Sequence, residues 1–287
     1  MTRSLQGIIL ATLGVLVLTP DTMFMRWSGL DGLGMTAWRG LCIGSVFCLI
    51  WAATAENRTA QLLTWATGVG LFASVAHGAN ALLFAVGIAA APVSVVLFGV
   101  ATSPIWAALF SRLLMGEPTS PATWITILLV FAGIGIAVFG DGGPSMTLVS
   151  LFGALAGLGV AATLAMTFVL FRKYDHIPIL LCVGIGSLMS GFFGLGVGGV
   201  GAMQGPGVWA ILVSGIVILP FSFWALGQAS RYTHASNVSL LLLLETILGP
   251  LWVWWGVGEA PTVAMLIGGV IVVVTLATYI WISSRRT

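Results

Sequence analysis

An acidic side chain, Glu245, lies inside an apolar run that extends from Ala235 to Gly256. The run is long enough to cross a lipid bilayer as a helix. An ionisable group at that depth is costly to bury, so it normally faces the interior of a helix bundle or a water-filled cavity. Pro250 follows five residues later and removes a helical hydrogen bond. A buried acid beside an interrupted helix is typical of a membrane transporter site. A structural glutamate bonded to a neighbouring helix is the alternative.

Other polar and aromatic side chains also fall in the middle of apolar runs. His77 and Asn80 are three residues apart and share a helical face, and Trp224 and Gln228 are four apart and share another. Buried imidazole and amide groups need polar partners, and a mid-span tryptophan can pack on an organic substrate. A structural histidine and ordinary core packing of the tryptophan are the alternatives. With Glu245, the predicted substrate-binding residues are His77, Asn80, Ser103, Trp224, Gln228 and Asn237.

Prolines in or near the apolar runs predict where helices bend, because proline removes a helical hydrogen bond and exposes a carbonyl group. The predicted bends lie at Pro20, Pro104, Pro220 and Pro250. Interrupted helices in matched parts of a chain indicate one central binding site. Asp21 and Arg39 fall inside the outer ends of the first two runs, where they could pair, although a solvated loop end is the favoured interpretation of Asp21.

The composition defines the broad class of protein. Of 287 residues, 59% are hydrophobic and only 6% are charged, and the mean hydropathy is +1.12. Soluble domains carry about 25% charged residues, so the sequence predicts an integral membrane protein. Outer-membrane barrels alternate apolar and polar residues, whereas the runs here are continuous, which indicates an all-α fold. No cluster of lysine and arginine indicates a nucleic-acid partner.

Neither a metal site nor a cofactor is predicted. The three histidines lie at different depths, and Cys42, Cys48 and Cys182 lie in apolar runs as free packing thiols. An intramembrane enzyme would need a nucleophile and base, or a set of metal ligands. Because no such group is evident, an enzyme is the less favoured class.

Ten apolar spans can be counted, joined by short connections. Their approximate bounds are 5–25, 33–54, 62–87, 92–115, 121–140, 148–171, 177–201, 206–228, 235–256 and 261–283. Glycine alone accounts for 38 residues, and small residues let membrane helices approach closely. The spacings Gly40-x-x-x-Gly44 and Gly153-x-x-x-Gly157 predict such contacts.

The chain also contains an internal repeat. With a shift of 142 residues, Ser103–Glu117 aligns without a gap on Glu245–Glu259, and both segments end in Gly-Glu followed closely by proline. The ten spans therefore divide into two halves of five, residues 1–141 and 147–287. An odd number of spans makes the halves cross the membrane in opposite senses. Inverted repeats around a central cavity are typical of secondary transporters.

These features resemble a known family. The MGE-P and GE-AP ends of spans 4 and 9, the five-span halves and the position of Glu245 are similar to the EamA family of the drug/metabolite transporter superfamily. Within it, the YddG-type aromatic amino-acid exporters of bacterial inner membranes are the nearest type we can suggest. The resemblance implies export of aromatic and other neutral amino acids and related metabolites by alternating access. The chain departs from the family at Thr246, which replaces the proline that commonly follows the glutamate.

The sequence therefore predicts a secondary transporter and not an enzyme. Its expected partners are a small-molecule substrate and the lipid bilayer, and the expected state is a monomer. Glu245 could meet a substrate ammonium group or carry a proton for exchange. Exporters of drugs or organic cations, or of sugar phosphates, are the alternatives. A sugar-phosphate site would need inward basic residues, for which Arg39 is the candidate.

The distribution of lysine and arginine predicts the orientation. Eight of these residues lie at one set of span ends, and one or two lie at the other. The positive-inside rule places the richer side in the cytoplasm, so both termini are expected to be cytoplasmic.

We expect reporter fusions made after Trp27 and after Arg172 to report opposite sides of the membrane, because these positions end corresponding spans of the two inverted halves. A periplasm-active phosphatase and a cytoplasm-fluorescent protein fused at each position would measure this. Activity of both fusions on one side would contradict the inverted repeat.

Overall fold

A computed structural model describes residues 3–91, 93–139, 148–258 and 263–285. Within these ranges every regular element is helical. The chain begins with α1 (Arg3–Leu18), α2 (Asp21–Ser28), α3 (Gly32–Thr54), α4 (Arg58–Trp65), α5 (Gly68–Ala90), α6 (Val93–Val100), α7 (Ser103–Met115) and α8 (Pro121–Phe139). It continues with α9 (Leu148–Lys173), α10 (Ile179–Ala202), α11 (Val208–Val213), a π-helical turn (Ser214–Ile218), α12 (Leu219–Tyr232), α13 (Ala235–Val257) and α14 (Val263–Arg285). The predicted boundary between the two halves, residues 141–147, lies outside the described residues.

Seven helical segments of the described chain are long and apolar enough to cross a membrane. They are Arg3–Ser28, Gly32–Thr54, Gly68–Ala90, Leu151–Lys173, Ile179–Ala202, Val208–Tyr232 and Ala235–Gly256. Shorter apolar helices lie at Ser103–Met115, Pro121–Ile136 and Leu266–Tyr279. An all-α protein with several candidate membrane spans is therefore confirmed over these ranges, while the count of ten remains a prediction.

Helices are interrupted near three of the four prolines named above. Pro20 separates α1 from α2, and Pro104 lies in the first turn of α7, directly after the gap between α6 and α7. Pro220 lies in the first turn of α12, directly after the π-helical turn. The first turn of a helix tolerates proline because the amide hydrogen that proline lacks would have no partner there.

At the fourth proline, Pro250, the helix is not interrupted. The backbone of α13 continues through this position from Ala235 to Val257, so the helix break expected there is absent. A membrane helix can tolerate the loss of one backbone hydrogen bond, because neighbouring groups can satisfy the freed carbonyl. The side chain of Pro250 lies outside the described residues.

Most of the long helices pack side by side in a defined set of pairs. The bundle places α3 on α10, α7 on α13 and α8 on α14, and it also places α1 on α12 and α5 on α9. A large apolar core joins these helices, with the rings of Phe47, Phe168 and Phe171 fully buried in it.

The contact between α3 and α10 depends on glycine. A Cβ atom added to Gly40 would lie 2.4 Å from the backbone nitrogen of Gly191, and one added to Gly191 would lie 2.6 Å from the nitrogen of Leu41. Both distances are far shorter than a van der Waals contact, so the two backbones touch only because neither glycine carries a side chain. Gly44, one turn beyond Gly40, faces Leu188 of α10 in the same way.

We expect Gly191→Ala to lower the midpoint of thermal unfolding in detergent. Overpacking a close contact costs about 1–3 kcal/mol, which exceeds the gain in helix propensity of at most about 1 kcal/mol. Gly196→Ala is the matched control on the same helix, because a Cβ there meets nothing within 4 Å, and it should be neutral or stabilising. Equal midpoints for the two variants would contradict the close contact.

Candidate functional site

A small cavity lies between α1, α2, α3, α5, α6, α9, α12 and α13. Its volume is about 50 Å³, which is room for a few water molecules at most. Its polar lining consists of Asp21, Arg39, His77, Asn80 and Glu245. Two aromatic rings, Phe84 and Phe223, also border it. Five polar side chains therefore meet inside an otherwise apolar bundle. Two of them are carboxylic acids and one is a guanidinium group.

Asp21 and Arg39 form a buried ion pair at this cavity. Nη1 of Arg39 donates to both carboxylate oxygens of Asp21, at 2.9 and 2.7 Å, and Asp21 is only 1% exposed. The hydroxyl of Ser214, in the π-helical turn, also donates to Asp21. The interpretation of Asp21 as a solvated loop end is therefore wrong. The chain turns at Pro20, and this turn directs the acid inward onto partners from two other helices.

The guanidinium of Arg39 uses only part of its hydrogen-bonding capacity. Within the described chain, its Nε and Nη2 groups have no hydrogen-bond partner, since both contacts to Asp21 come from Nη1. The guanidinium carbon lies 5.7 Å from the centre of the Phe84 ring, in a cation–π arrangement. Asp21 and Phe84 therefore fix the orientation of Arg39 and leave one edge of its planar fork available.

Glu245 reaches the cavity from α13 and is 8% exposed. The described residues provide its carboxyl group with neither a hydrogen bond nor a direct ion pair, although the charges of Asp21 and Arg39 act on it. The leucines that precede it, Leu240 to Leu244, are all buried. Burying an unpaired carboxylate is costly, so this group needs a proton or a cationic partner.

His77 and Asn80 share one face of α5 and border the same cavity. The His77 ring meets Phe223 edge to face at 4.9 Å, and its Nε2 atom is buried without a hydrogen-bond partner in the described chain. The side-chain amide of Asn80 donates to the backbone oxygen of Val160 on α9 at 3.0 Å. The structure therefore brings together Glu245, His77 and Asn80, as the sequence predicted.

The other predicted substrate-binding residues lie elsewhere. Trp224 is 37% exposed and packs against Phe221, while its neighbour Phe223 faces the cavity. Gln228 is half-buried on α12 and does not border the cavity. Ser103 is fully buried in the first turn of α7, and its hydroxyl has no hydrogen-bond partner among the described residues. It does not line the cavity either. Placing these three residues at the cavity was therefore wrong.

Asn237 borders a second, larger pocket of about 620 Å³ between α7, α8, α13 and α14. Its amide donates to the hydroxyl of Thr233 at 3.0 Å and accepts from the hydroxyl of Tyr279. Eight residues separate Asn237 from Glu245, which places it about 12 Å away along the helix. The two side chains border different pockets, so placing Asn237 at the cavity with Glu245 was wrong.

An ionic cluster closes one edge of the second pocket. Glu117 accepts hydrogen bonds from Nε and Nη2 of Arg172 at 3.2 and 3.0 Å, and Nδ1 of His234 lies 2.9 Å from Oε2. Arg172 also donates to the backbone oxygen of Thr233. These contacts tie the connection after α7 to the end of α9 and to the connection after α12. No local sequence pattern identifies this cluster, because the partners of Glu117 lie 55 and 117 residues away.

Among the described residues, no group of three or more His, Cys, Asp or Glu side chains could hold a metal ion. The cysteines Cys42, Cys48 and Cys182 are free thiols.

A bundle of candidate membrane helices around a charged internal cavity is the arrangement expected of a membrane transporter. Residues 5–139 match the EamA-like transporter family, so the resemblance seen in the sequence is confirmed for this part of the chain, which holds an EamA domain.

Two further similarities extend over most of the chain. The chain is 26% identical over 241 residues to the "Uncharacterized transporter YdfC" of Bacillus subtilis (strain 168). This alignment covers 81% of the present chain and 77% of the Bacillus protein. A solved structure titled "Crystal structure of protein" superposes with a TM-score of 0.79 at 16% identity, covering 97% of this chain and 98% of the other. The second similarity shows a shared fold.

We expect Glu117→Gln to lower the unfolding temperature at neutral pH. Burial alone raises the pKa of the Glu117 carboxyl, but the hydrogen bonds and charge of Arg172, together with His234, outweigh burial and hold the pKa below its ordinary value of 4.5. The charged carboxylate therefore stabilises the fold above about pH 4.5, and this contribution is lost as the pH falls through the lowered pKa.

Thermal unfolding in detergent between pH 7 and pH 3 measures this. The difference in unfolding temperature between wild type and Glu117→Gln should be largest at pH 7 and should vanish near pH 3. Glu56 is an exposed acid in a loop, so Glu56→Gln is the control and should unfold at the wild-type temperature throughout. A difference for Glu117→Gln that stays constant with pH would contradict the assigned ionic role.

Proposed function

We propose that the protein is a secondary transporter that exports neutral amino acids, including aromatic ones, across the bacterial inner membrane. The observation that carries this proposal is the convergence of Glu245, the Asp21–Arg39 pair and His77 on one cavity. Ionisable groups inside a membrane bundle are expensive and mark pathways for substrates, ions or protons. A cavity with both signs of charge and two aromatic walls suits a small zwitterion with an apolar side chain.

The proposal includes ten spans in two inverted halves, residues 1–141 and 147–287. In it, α1 with α2 is span 1, α6 with α7 is span 4, and α11 with α12 is span 8. The observed packing then pairs spans 2 with 7, 4 with 9 and 5 with 10, and it pairs 1 with 8 and 3 with 6. Exchanging the two halves converts this set of pairs into itself, which supports a two-fold internal repeat with the cavity between its halves.

In the proposed cycle, the halves rock so that the cavity opens to one side of the membrane at a time. The interruptions at Pro20, Pro104 and the π-helical turn supply points where spans 1, 4 and 8 can bend. The pocket that contains Asn237 lies about two turns of α13 from Glu245 and, with both termini cytoplasmic, on the cytoplasmic side. It would serve as the inner entrance, with the Glu117 cluster at its edge.

Export of drugs or organic cations is the second candidate, and a specific observation favours it. Glu245 has no partner within the described chain, so its carboxylate could receive the charge of a cation that lacks a carboxylate. A sugar-phosphate carrier fits less well, because a phosphate carries nearly two negative charges, and Arg39, already paired with Asp21 and sharing the cavity with Glu245, cannot balance them alone. The two leading candidates differ in whether the substrate needs a carboxylate group.

We expect Glu245→Gln to reduce transport strongly while the protein remains folded. Glutamine keeps the shape of the side chain and most of its hydrogen bonding, but it removes the charge and the exchangeable proton. Loss of a charge-assisted hydrogen bond costs roughly 1.5–3 kcal/mol, or about 10- to 150-fold in substrate affinity.

Flux of labelled phenylalanine into proteoliposomes, with and without a pH gradient, measures the effect. The exposed Glu56→Gln serves as the control for the loss of an acid as such. Wild-type flux in a folded Glu245→Gln protein would reject the proposed role of the carboxylate.

A further inference from the structure

The ion pair with Asp21 leaves one edge of the Arg39 guanidinium unused. This edge suggests that Arg39 has a second role besides stabilising the fold. In a purely structural pair, both nitrogens at one edge of the arginine fork would be expected to engage the two carboxylate oxygens. Here Nη1 alone contacts both oxygens of Asp21, and Nε and Nη2 have no partner in the described residues. A side chain that is only 9% exposed thus keeps unused donors beside a cavity.

The surroundings of Arg39 hold this edge in place. Asp21 is itself fixed by the hydroxyl of Ser214, and the Phe84 ring lies against the guanidinium at 5.7 Å. The arginine therefore loses little rotational freedom when a ligand binds, which is the condition for tight recognition by a planar group. Across the same cavity lies the carboxyl group of Glu245, which has no partner among the described residues.

We propose that Arg39 binds the carboxylate of the substrate through Nε and Nη2, while Asp21 orients the guanidinium and Glu245 receives the ammonium group. This inference rests on the proposed function and deepens it. It assigns the substrate to α-amino acids with a free carboxylate, and it excludes simple amines and amino-acid amides as good substrates. Asp21 is a positioning residue, because it acts through Arg39.

The signs of the charges agree with this assignment. Asp21 and Arg39 cancel each other, and a zwitterion leaves the single negative charge of an ionised Glu245 unchanged. The carboxylate of the substrate would lie beside the positive group, and its ammonium beside the negative one. The cavity of about 50 Å³ must widen to admit an amino acid, and the rocking of the two halves provides that change.

The test uses wild-type protein in proteoliposomes and compares three competitors of labelled phenylalanine uptake. Phenylalanine carries both charged groups, phenylalaninamide lacks the carboxylate, and 3-phenylpropanoate lacks the ammonium. We expect phenylalanine to compete at least about tenfold better than phenylalaninamide, because the amide loses a charge-assisted contact to Arg39.

Two variants isolate the contribution of Arg39. Arg39→Lys can keep the ion pair with Asp21 but lacks the second edge of the fork. Phenylalanine and its amide should therefore compete almost equally well in this variant, so the preference for phenylalanine is lost. The double variant Asp21→Asn, Arg39→Gln removes both members of the ion pair, so neither is left as an unpaired buried charge, and it should also lose the preference. Arg58→Gln, an exposed arginine on α4, should keep it.

Where uptake by a variant is too slow, the same ratio can be read from the rise in unfolding temperature that each competitor produces. An unchanged preference for phenylalanine over its amide in both Arg39 variants would overturn this inference and leave the proposed function standing. If the wild-type protein takes up no neutral amino acid, the proposed function falls, and this inference falls with it.

Discussion

The burial of charge away from water is the constraint on which the rest of this structure depends. An isolated charge inside a membrane bundle is costly, so such groups need partners or water. Asp21 and Arg39 satisfy each other, with help from Ser214. The carboxyl group of Glu245 is left facing the same small cavity without a partner among the described residues. Binding of a cationic group or a proton would supply the partner that this carboxyl group lacks.

Some helices of the bundle pack very closely, whereas others are interrupted. The glycine contact between α3 and α10 holds two backbones together as a tight unit. In contrast, the spans that border the cavity are interrupted at Pro20, before Pro104 and at the π-helical turn. Such interruptions free backbone groups and lower the cost of bending. The bundle therefore combines a closely packed pair of helices with interrupted ones, and the proposed alternating access would use the interruptions as bending points.

The sequence predicted how deep a residue lies along its helix better than it predicted the direction in which its side chain points. Apolar run length identified the long apolar helices of the described chain, and the mid-span positions of Glu245, His77 and Asn80 placed them near one another. Trp224 was misplaced because depth in a helix does not fix the direction of a side chain, and it is the adjacent ring, Phe223, that borders the cavity. Asp21 was misread because its partner Ser214 lies 193 residues away, and no local pattern reports such a contact.

The most direct test of the central claim is the accessibility of the cavity from each side of the membrane. Ala81 lines the cavity, so Ala81→Cys in a protein with Cys42, Cys48 and Cys182 replaced would place a single thiol there. We expect membrane-impermeant thiol reagents to label this position from both sides, and we expect phenylalanine to slow the labelling. Labelling from one side alone, or labelling that phenylalanine leaves unchanged, would contradict a cavity that alternates between the two sides with its substrate.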